Sequence, residues 1–322
     1  RFFGLRPEVG AYFVQHGREI GLPLAVLGLI VVFASFSDVF LSLANFRNVG
    51  LQAAALAAVS FGQTLVILTA GLDLSVGSIV ALVSVVTALA ILNFGIFAGV
   101  LIGLLTGVVA GLVNGFIVTK LRVFPFITTL AMLSFLSGLA LNLSGGTPII
   151  GLPSAFTDFA YQRFLGVPLP VILSLTLLAF TFFVLRYTRI GRNIYAIGGN
   201  QEAARLSGLR VDRVKTIAYM YSGVCSAIAA MILTTRVSSG QPTLGASLPL
   251  ESVAAVVLGG VSLFGGRGSV VGVAFGVAFV SILSNGLNLL NVSSYTQMMV
   301  IGVALAGAVA IDQAFVRRGK VQ

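Results

Sequence analysis

The sequence predicts an all-α polytopic membrane protein with about ten transmembrane helices, and three observations carry that expectation. Hydrophobic residues make up 57% of the 322 residues and charged residues only 9%, against roughly 45–50% and about 25% in soluble domains. Mean hydropathy is +1.07, and apolar runs long enough to cross a ~30 Å hydrocarbon core recur from end to end. Those runs lack the alternation of a membrane β-barrel.

In chain order, residues 1–21 form an arm with Arg1, Arg6, Arg18 and the single histidine, His16. Apolar segments follow at 22–40, 50–70, 75–93, 96–119, 124–143, 169–185, 216–234, 249–264, 269–290 and 295–311. Residues 22–315 therefore read as a single transmembrane domain and 316–322 as a tail. Basic residues orient it. With the N-terminus in the cytoplasm, ten crossings leave only Arg47, Arg163 and Arg236 of the 19 basic residues outside. The positive-inside rule thus predicts both termini in the cytoplasm, as well as the 186–215 loop. The net charge of +10 is explained by orientation and anionic membrane lipid, without nucleic acid. Residues 144–168 read as an ordered external loop.

Small residues fill the spans. Gly99, Gly103, Gly107 and Gly111 stand four apart, a stripe that lets helices approach closely. It fits packing within the chain or a subunit-contact face. A weak internal echo pairs Leu74–Leu82 with Leu250–Leu258 and Leu112–Phe116 with Leu283–Leu287. The first pair runs in opposite directions across the membrane, as in an inverted repeat.

Catalytic and nucleotide motifs are missing. No GxxxxGK[ST] loop occurs, and the Gly-rich run Phe264–Gly272 lacks the following Lys-Ser/Thr and reads as a tight turn. One histidine and one cysteine, Cys225, leave no Ser–His–acid set, disulfide or cysteine metal cluster. The expectation is no catalytic residue, no metal site and no cofactor of the chain's own.

Two acids stand at the starts of apolar runs. Asp73 can cap the helix beginning near Ser75, and Glu251 falls in the first turn after Pro249. Neutral polar residues make two helical faces: Ser60, Gln63 and Thr64, and Ser281, Ser284, Asn288 and Asn291. With Asp73 they are candidates for a substrate path, and interhelical hydrogen bonding is an equal reading. One polar stretch, Ile197–Lys215, interrupts the apolar chain with Glu202, Arg205, Arg210, Asp212, Arg213 and Lys215.

Several motifs together are similar to one family. "GLDLSVGSIVAL" (Gly71–Leu82), "NGFIVTKLRVFPFITTLAMLSFLSGLAL" (Asn114–Leu141), "GRNIYAIGGNQEAARLSGL" (Gly191–Leu209), "AAVVLGGVSLFGGRGSVVGVAFG" (Ala254–Gly276) and "QMMVIGVALAGAVAID" (Gln297–Asp312) resemble permease subunits of bacterial ribose-type sugar ABC importers, in the superfamily shared with branched-chain amino-acid permeases. Ala131 stands where that family usually has Gly. The resemblance implies a bacterial inner-membrane subunit that pairs with a second permease copy, identical or different. It also implies a cytoplasmic ATPase that carries ATP and Mg, and a periplasmic or lipid-anchored sugar-binding protein. Asn200, Gln201, Glu202, Ala203, Ala204, Arg205 and Gly208 would then form the coupling helix that docks on the ATPase, with Asn200 as N-cap and Glu202 in the first turn. The competing class is an ion-coupled secondary transporter using Asp73 or Glu251.

Overall fold

The computed structural model describes residues 7–318; Arg1, Arg6 and Lys320, which enter the orientation argument, lie outside them. The elements are α1 (Pro7–Phe36), α2 (Leu43–Leu68), α3 (Val76–Phe94), α4 (Ile96–Thr119), α5 (Pro125–Ser144), the single turn α6 (Ser154–Thr157), a hairpin of β1 (Arg163–Phe164) and β2 (Val167–Pro168), and α7 (Leu169–Tyr187). Then come α8 (Arg189–Gly199), α9 (Gln201–Leu206), α10 (Val211–Val237), α11 (Leu248–Leu258), α12 (Val270–Leu289) and α13 (Ser294–Arg318). The protein is an all-α polytopic membrane protein, and among the described residues seven helices are long and apolar enough to cross a membrane.

Local chemistry sets the boundaries. The Ser42 side chain accepts the Asn45 N–H at the start of α2, and Ser269 accepts the Val271 N–H at the start of α12. Pro125 opens α5 and Gly145, at φ +61°, closes it. A single residue, Gly95 at φ +84°, separates α3 from α4. The 144–168 segment is ordered, as expected, through α6 and the β1–β2 hairpin.

The apolar segment 249–264 differs from expectation. Its helix, α11, has 11 residues, a length of ~16 Å that falls short of the ~30 Å core. Gly259 and Gly260 end it, and Gly260, at φ +83°, favours glycine. Two hydrogen-bonded turns then lead to α12, so this segment is half a helix and half loop.

The centre of the bundle is α2 and α3, in which most residues of the apolar window are buried; α4, α5 and α7 bury about a quarter of theirs. Packing repeats along the chain. Helix α3 packs on α4 and α5, as α11 packs on α12 and α13; α10 packs on α3 and α4, as α2 packs on α11 and α12. The glycine stripe is spent inside this bundle. A Cβ on Gly99 or Gly103 would strike Ile91 or Thr87 of α3, and one on Gly107 or Gly111 would strike Gly223 or Tyr219 of α10. The stripe is thus a packing seam, and the subunit-contact alternative for it falls away.

Candidate functional site

The polar interruption folds as two consecutive helices. In α8, Ile194 and Ile197 are fully buried while Arg189 and Arg192 face out, so this amphipathic helix lies against the bundle. Next, Asn200 adopts an extended backbone and its side chain accepts the Ala203 N–H at 2.9 Å. That bond starts α9, with Glu202 in its first turn. Gln201, Glu202, Ala203 and Arg205 are exposed, Ala204 is buried, and Leu206 is 82% exposed. Gly208, at φ +82°, turns the chain back toward α10. The seven residues expected at the coupling helix are therefore gathered in one short exposed element.

Side chains brace that element. Lys215 Nζ donates to Gln201 Oε1 at 2.6 Å, and Arg205 and Lys120 lie 3.6 and 4.0 Å from Asp212. These pairs are half exposed, so each contributes at most about 1 kcal/mol. Between α9, the α4–α5 turn and α10, Gln201, Arg205, Asp212 and Lys215 border a cavity of about 460 Å³, lined also by Arg122 and Glu202.

The firmer attachment is made by backbone. Gly198 of α8 sits so tightly that a Cβ there would collide with the Leu68 carbonyl oxygen and the Gly266 amide nitrogen. Gly266 N–H in turn donates to that Leu68 oxygen at 3.0 Å. Tyr195 Oη donates to the Gly268 carbonyl at 2.9 Å. The end of α2, the α11–α12 loop and α8 thus meet at one point, and a shift of α8 reaches both neighbours. Sequence reading treated the Phe264–Gly272 run as a mere turn and missed this junction, because its partners lie far apart in the chain.

A buried polar node stands above it. Asp73 is completely buried. Its Oδ1 accepts the Ser75 N–H at 3.0 Å and Ser75 Oγ at 2.6 Å; its Oδ2 accepts Ser222 Oγ of α10 at 2.9 Å. Asn114 Nδ2 of α4 donates to Ser75 Oγ at 2.8 Å. The adjacent Leu72 carbonyl accepts Tyr219 Oη of α10 at 3.3 Å and Thr129 Oγ1 of α5 at 3.4 Å. Asp73 therefore accepts a free N–H at the start of α3, as expected of a cap, through Ser75 and not through the amides of the first turn. It is enclosed between α3, α4 and α10.

The other path candidates divide. Ser60, Gln63 and Thr64 share a fully buried face of α2. Thr64 Oγ1 donates to the Ser60 carbonyl at 2.7 Å, while Ser60 Oγ and both amide atoms of Gln63 find no partner among the described residues. Ser281 and Ser284 line a cavity of about 250 Å³ with Gln52, Arg236, Ser247 and Glu251. Glu251 lies in the first turn of α11, after Pro249, as expected. Asn288 is exposed, and Asn291 lies beyond the end of α12 with φ +56°. The expected polar face of α12 therefore breaks up at its end, because the helix stops at Leu289. Among the described residues no three His, Cys, Asp or Glu side chains cluster as a metal site.

The sequence profile described as "Branched-chain amino acid transport system / permease component" matches residues 45–309. The chain belongs to this permease family. The ribose import permease protein of Bacillus subtilis (strain 168) is 43% identical over 300 residues, covering 92% of this chain and 93% of that protein. The ribose import permease protein of Escherichia coli (strain K12) is 42% identical, covering 90% and 92%. The L-arabinose transport system permease protein of the same strain is 38% identical, covering 95% and 94%. No solved structure matches.

In this permease the residues that sequence reading missed are amides and hydroxyls with distant partners. Besides Asn114 and Ser222, Asn45 of α2 and Asn285 of α12 pair reciprocally, each Nδ2 donating to the other's Oδ1 at 3.0 Å. A signal for them existed: Asn114 and Asn285 each precede a glycine in the echoed segments. Either residue changed to Ala strands the other amide in a buried site, at about 1–3 kcal/mol. Changing both removes the stranded group. Thermal unfolding of detergent-purified permease is expected to find Asn45→Ala/Asn285→Ala less destabilised than the sum of the two single variants.

Proposed function

We propose that this permease is the translocation subunit of an ATP-driven importer of a monosaccharide, working by alternating access in the bacterial inner membrane. The observation that carries the proposal is α9, an Asn200-capped exposed helix tied through α8 to the end of α2 and to the α11–α12 loop. It is suited to take a push from a cytoplasmic motor and pass it into the membrane. Permeases named for ribose, L-arabinose and D-allose support a pentose or hexose as substrate.

Several finer readings belong to this proposal. The chain crosses the membrane ten times with both termini inside, the α11 half-helix and its loop making one crossing. Residues 1–21 and 316–322 flank the membrane domain. Helices α2–α5 and α10–α13 are an inverted repeat, a reading supported by their matched packing and by the echoes that fall on α3/α11 and α4/α12. A second permease copy completes the pathway, an ATPase carrying ATP and Mg docks on Asn200–Gly208, and an external binding protein delivers the sugar. The cavity at Gln52, Arg236, Glu251, Ser281 and Ser284 offers donors and acceptors suited to hydroxyl groups. Buried unpaired amides cost free energy, and the Gln63 amide, without a partner among the described residues, is a candidate to gain one elsewhere in the cycle. The hydroxyl donors that occupy Asp73 favour this reading over ion coupling.

Docking is tested by co-purification with the cognate ATPase. Glu202→Lys reverses an exposed charge, and Gly208→Trp forces a bulky residue into a left-handed conformation at roughly 1–2 kcal/mol. Glu202 is exposed and a Cβ at Gly208 would meet nothing within 4 Å, so the variants are expected to insert normally. The wild-type permease is expected to retain the ATPase and both variants to lose most of it. Full retention by both variants would remove α9 from the interface.

A further inference from the structure

We propose that the cleft between the C-terminal end of α4 and the N-terminal end of α10 binds one anionic phospholipid. It rests on the placement of these two helix ends at the membrane surface. Two cavities, of about 420 and 560 Å³, share Lys120, Asp212 and Arg213. The first extends past Arg205 and Arg210 outside the bilayer; the second runs along Thr216, Ile217 and Met220 of α10 into the apolar span. Four cations thus surround the mouth, and Asp212 is the one acid among the lining residues. Asp212 is already engaged by Arg205 and Lys120. Among the described residues neither Arg210 nor Arg213 makes an ion pair.

The groove has the form of a lipid. Arg213, Thr216, Ile217 and Met220 fall at i, i+3, i+4 and i+7, on one face of α10. That face drops about 10 Å from the charged mouth, the direction an acyl chain takes below its phosphate. Glycines hold the two helices together beside the groove: Gly115 and Gly111 seat α4 against the backbone of α10 at Thr216 and Met220, and Lys120 follows at the end of α4. Basic pockets between helices on the cytoplasmic side are the usual sites for anionic headgroups. A free phosphate would use the cations and leave the apolar groove without purpose.

The test uses the full-length permease in nanodiscs of phosphatidylcholine doped with phosphatidylglycerol, with retained lipid read by native mass spectrometry. The wild-type permease is expected to keep one phosphatidylglycerol through an excess of inorganic phosphate. Lys120→Gln/Arg213→Gln removes two exposed cations and is expected to lower retention by on the order of tenfold. Ile217→Trp fills the groove, leaves the cations in place, and is expected to lower retention as well. Equal retention by the wild type and the Gln pair overturns the proposal. So does displacement by inorganic phosphate, or loss on the Gln pair that Ile217→Trp does not reproduce, since both describe an anion site without a lipid.

Discussion

A single methyl group on Gly198 is expected to cut coupled transport at least about tenfold, while the neighbouring substitution is silent. The Cβ of Gly198→Ala would overlap the Leu68 carbonyl and the Gly266 amide, which are hydrogen-bonded to each other. Backbone atoms at a helix end cannot rotate aside, so α8 must lift away or the Gly266–Leu68 bond must open. Overpacking of this kind costs about 1–3 kcal/mol, enough to change a coupling equilibrium by tenfold or more. Gly199→Ala is the control, because its Cβ meets nothing within 4 Å. In reconstituted importer, Gly198→Ala is expected to lose at least about tenfold in ATP-driven uptake with ATP hydrolysis retained, and Gly199→Ala to behave as wild type. Equal uptake by the two variants would show that the junction does not transmit motion.

The second large effect is structural. Asp73→Ala removes the acceptor of the Ser75 amide, the Ser75 hydroxyl and the Ser222 hydroxyl in a fully buried site. Each stranded donor costs about 1–3 kcal/mol, less whatever the hydroxyls recover by rotating. A net loss of about 3 kcal/mol, or roughly 6–12 °C in Tm, is expected. Asp73→Asn keeps the side-chain volume and an oxygen for Ser75, and the Ser222 hydroxyl can turn to accept from the new amide. Its loss is expected to be less than half as large. Thermal unfolding followed by size-exclusion chromatography distinguishes these outcomes. Equal stability of Asp73→Ala and the wild type would mean that the node does not hold α3 to α10.

How far the sequence reached can be seen in the same residues. Hydropathy located the seven helices that are long and apolar enough to cross a membrane, because bilayer thickness leaves little freedom in their length. It could not tell that α11 stops at Leu258, since the loop that follows, with Val261, Leu263 and Phe264, is nearly as apolar as a helix. Asn200, Glu202 and Gly208 were legible because capping and left-handed turns use neighbours in the chain. The bond from Asp73 to the Ser75 amide was legible for the same reason, whereas its other partners, Asn114 and Ser222, are 41 and 149 positions away and left no local signal. Gly198 carried no signal among 38 glycines; its role comes from Leu68 and Gly266 meeting it in space. The polar residues of α2 and α12 could not be sorted by periodicity either. Ser281 and Ser284 reach a cavity, whereas Ser60 and Thr64 are enclosed by neighbouring helices.

The central claim is that this permease borrows its driving force through α9. It is tested most directly in proteoliposomes holding the permease, its ATPase and the binding protein, with the labelled monosaccharide that the binding protein retains offered on the binding-protein side. Uptake is expected only when ATP, the ATPase and the binding protein are all present, and is expected to persist when an ionophore collapses ion gradients. Uptake by the permease alone, abolished by the ionophore, would contradict the account.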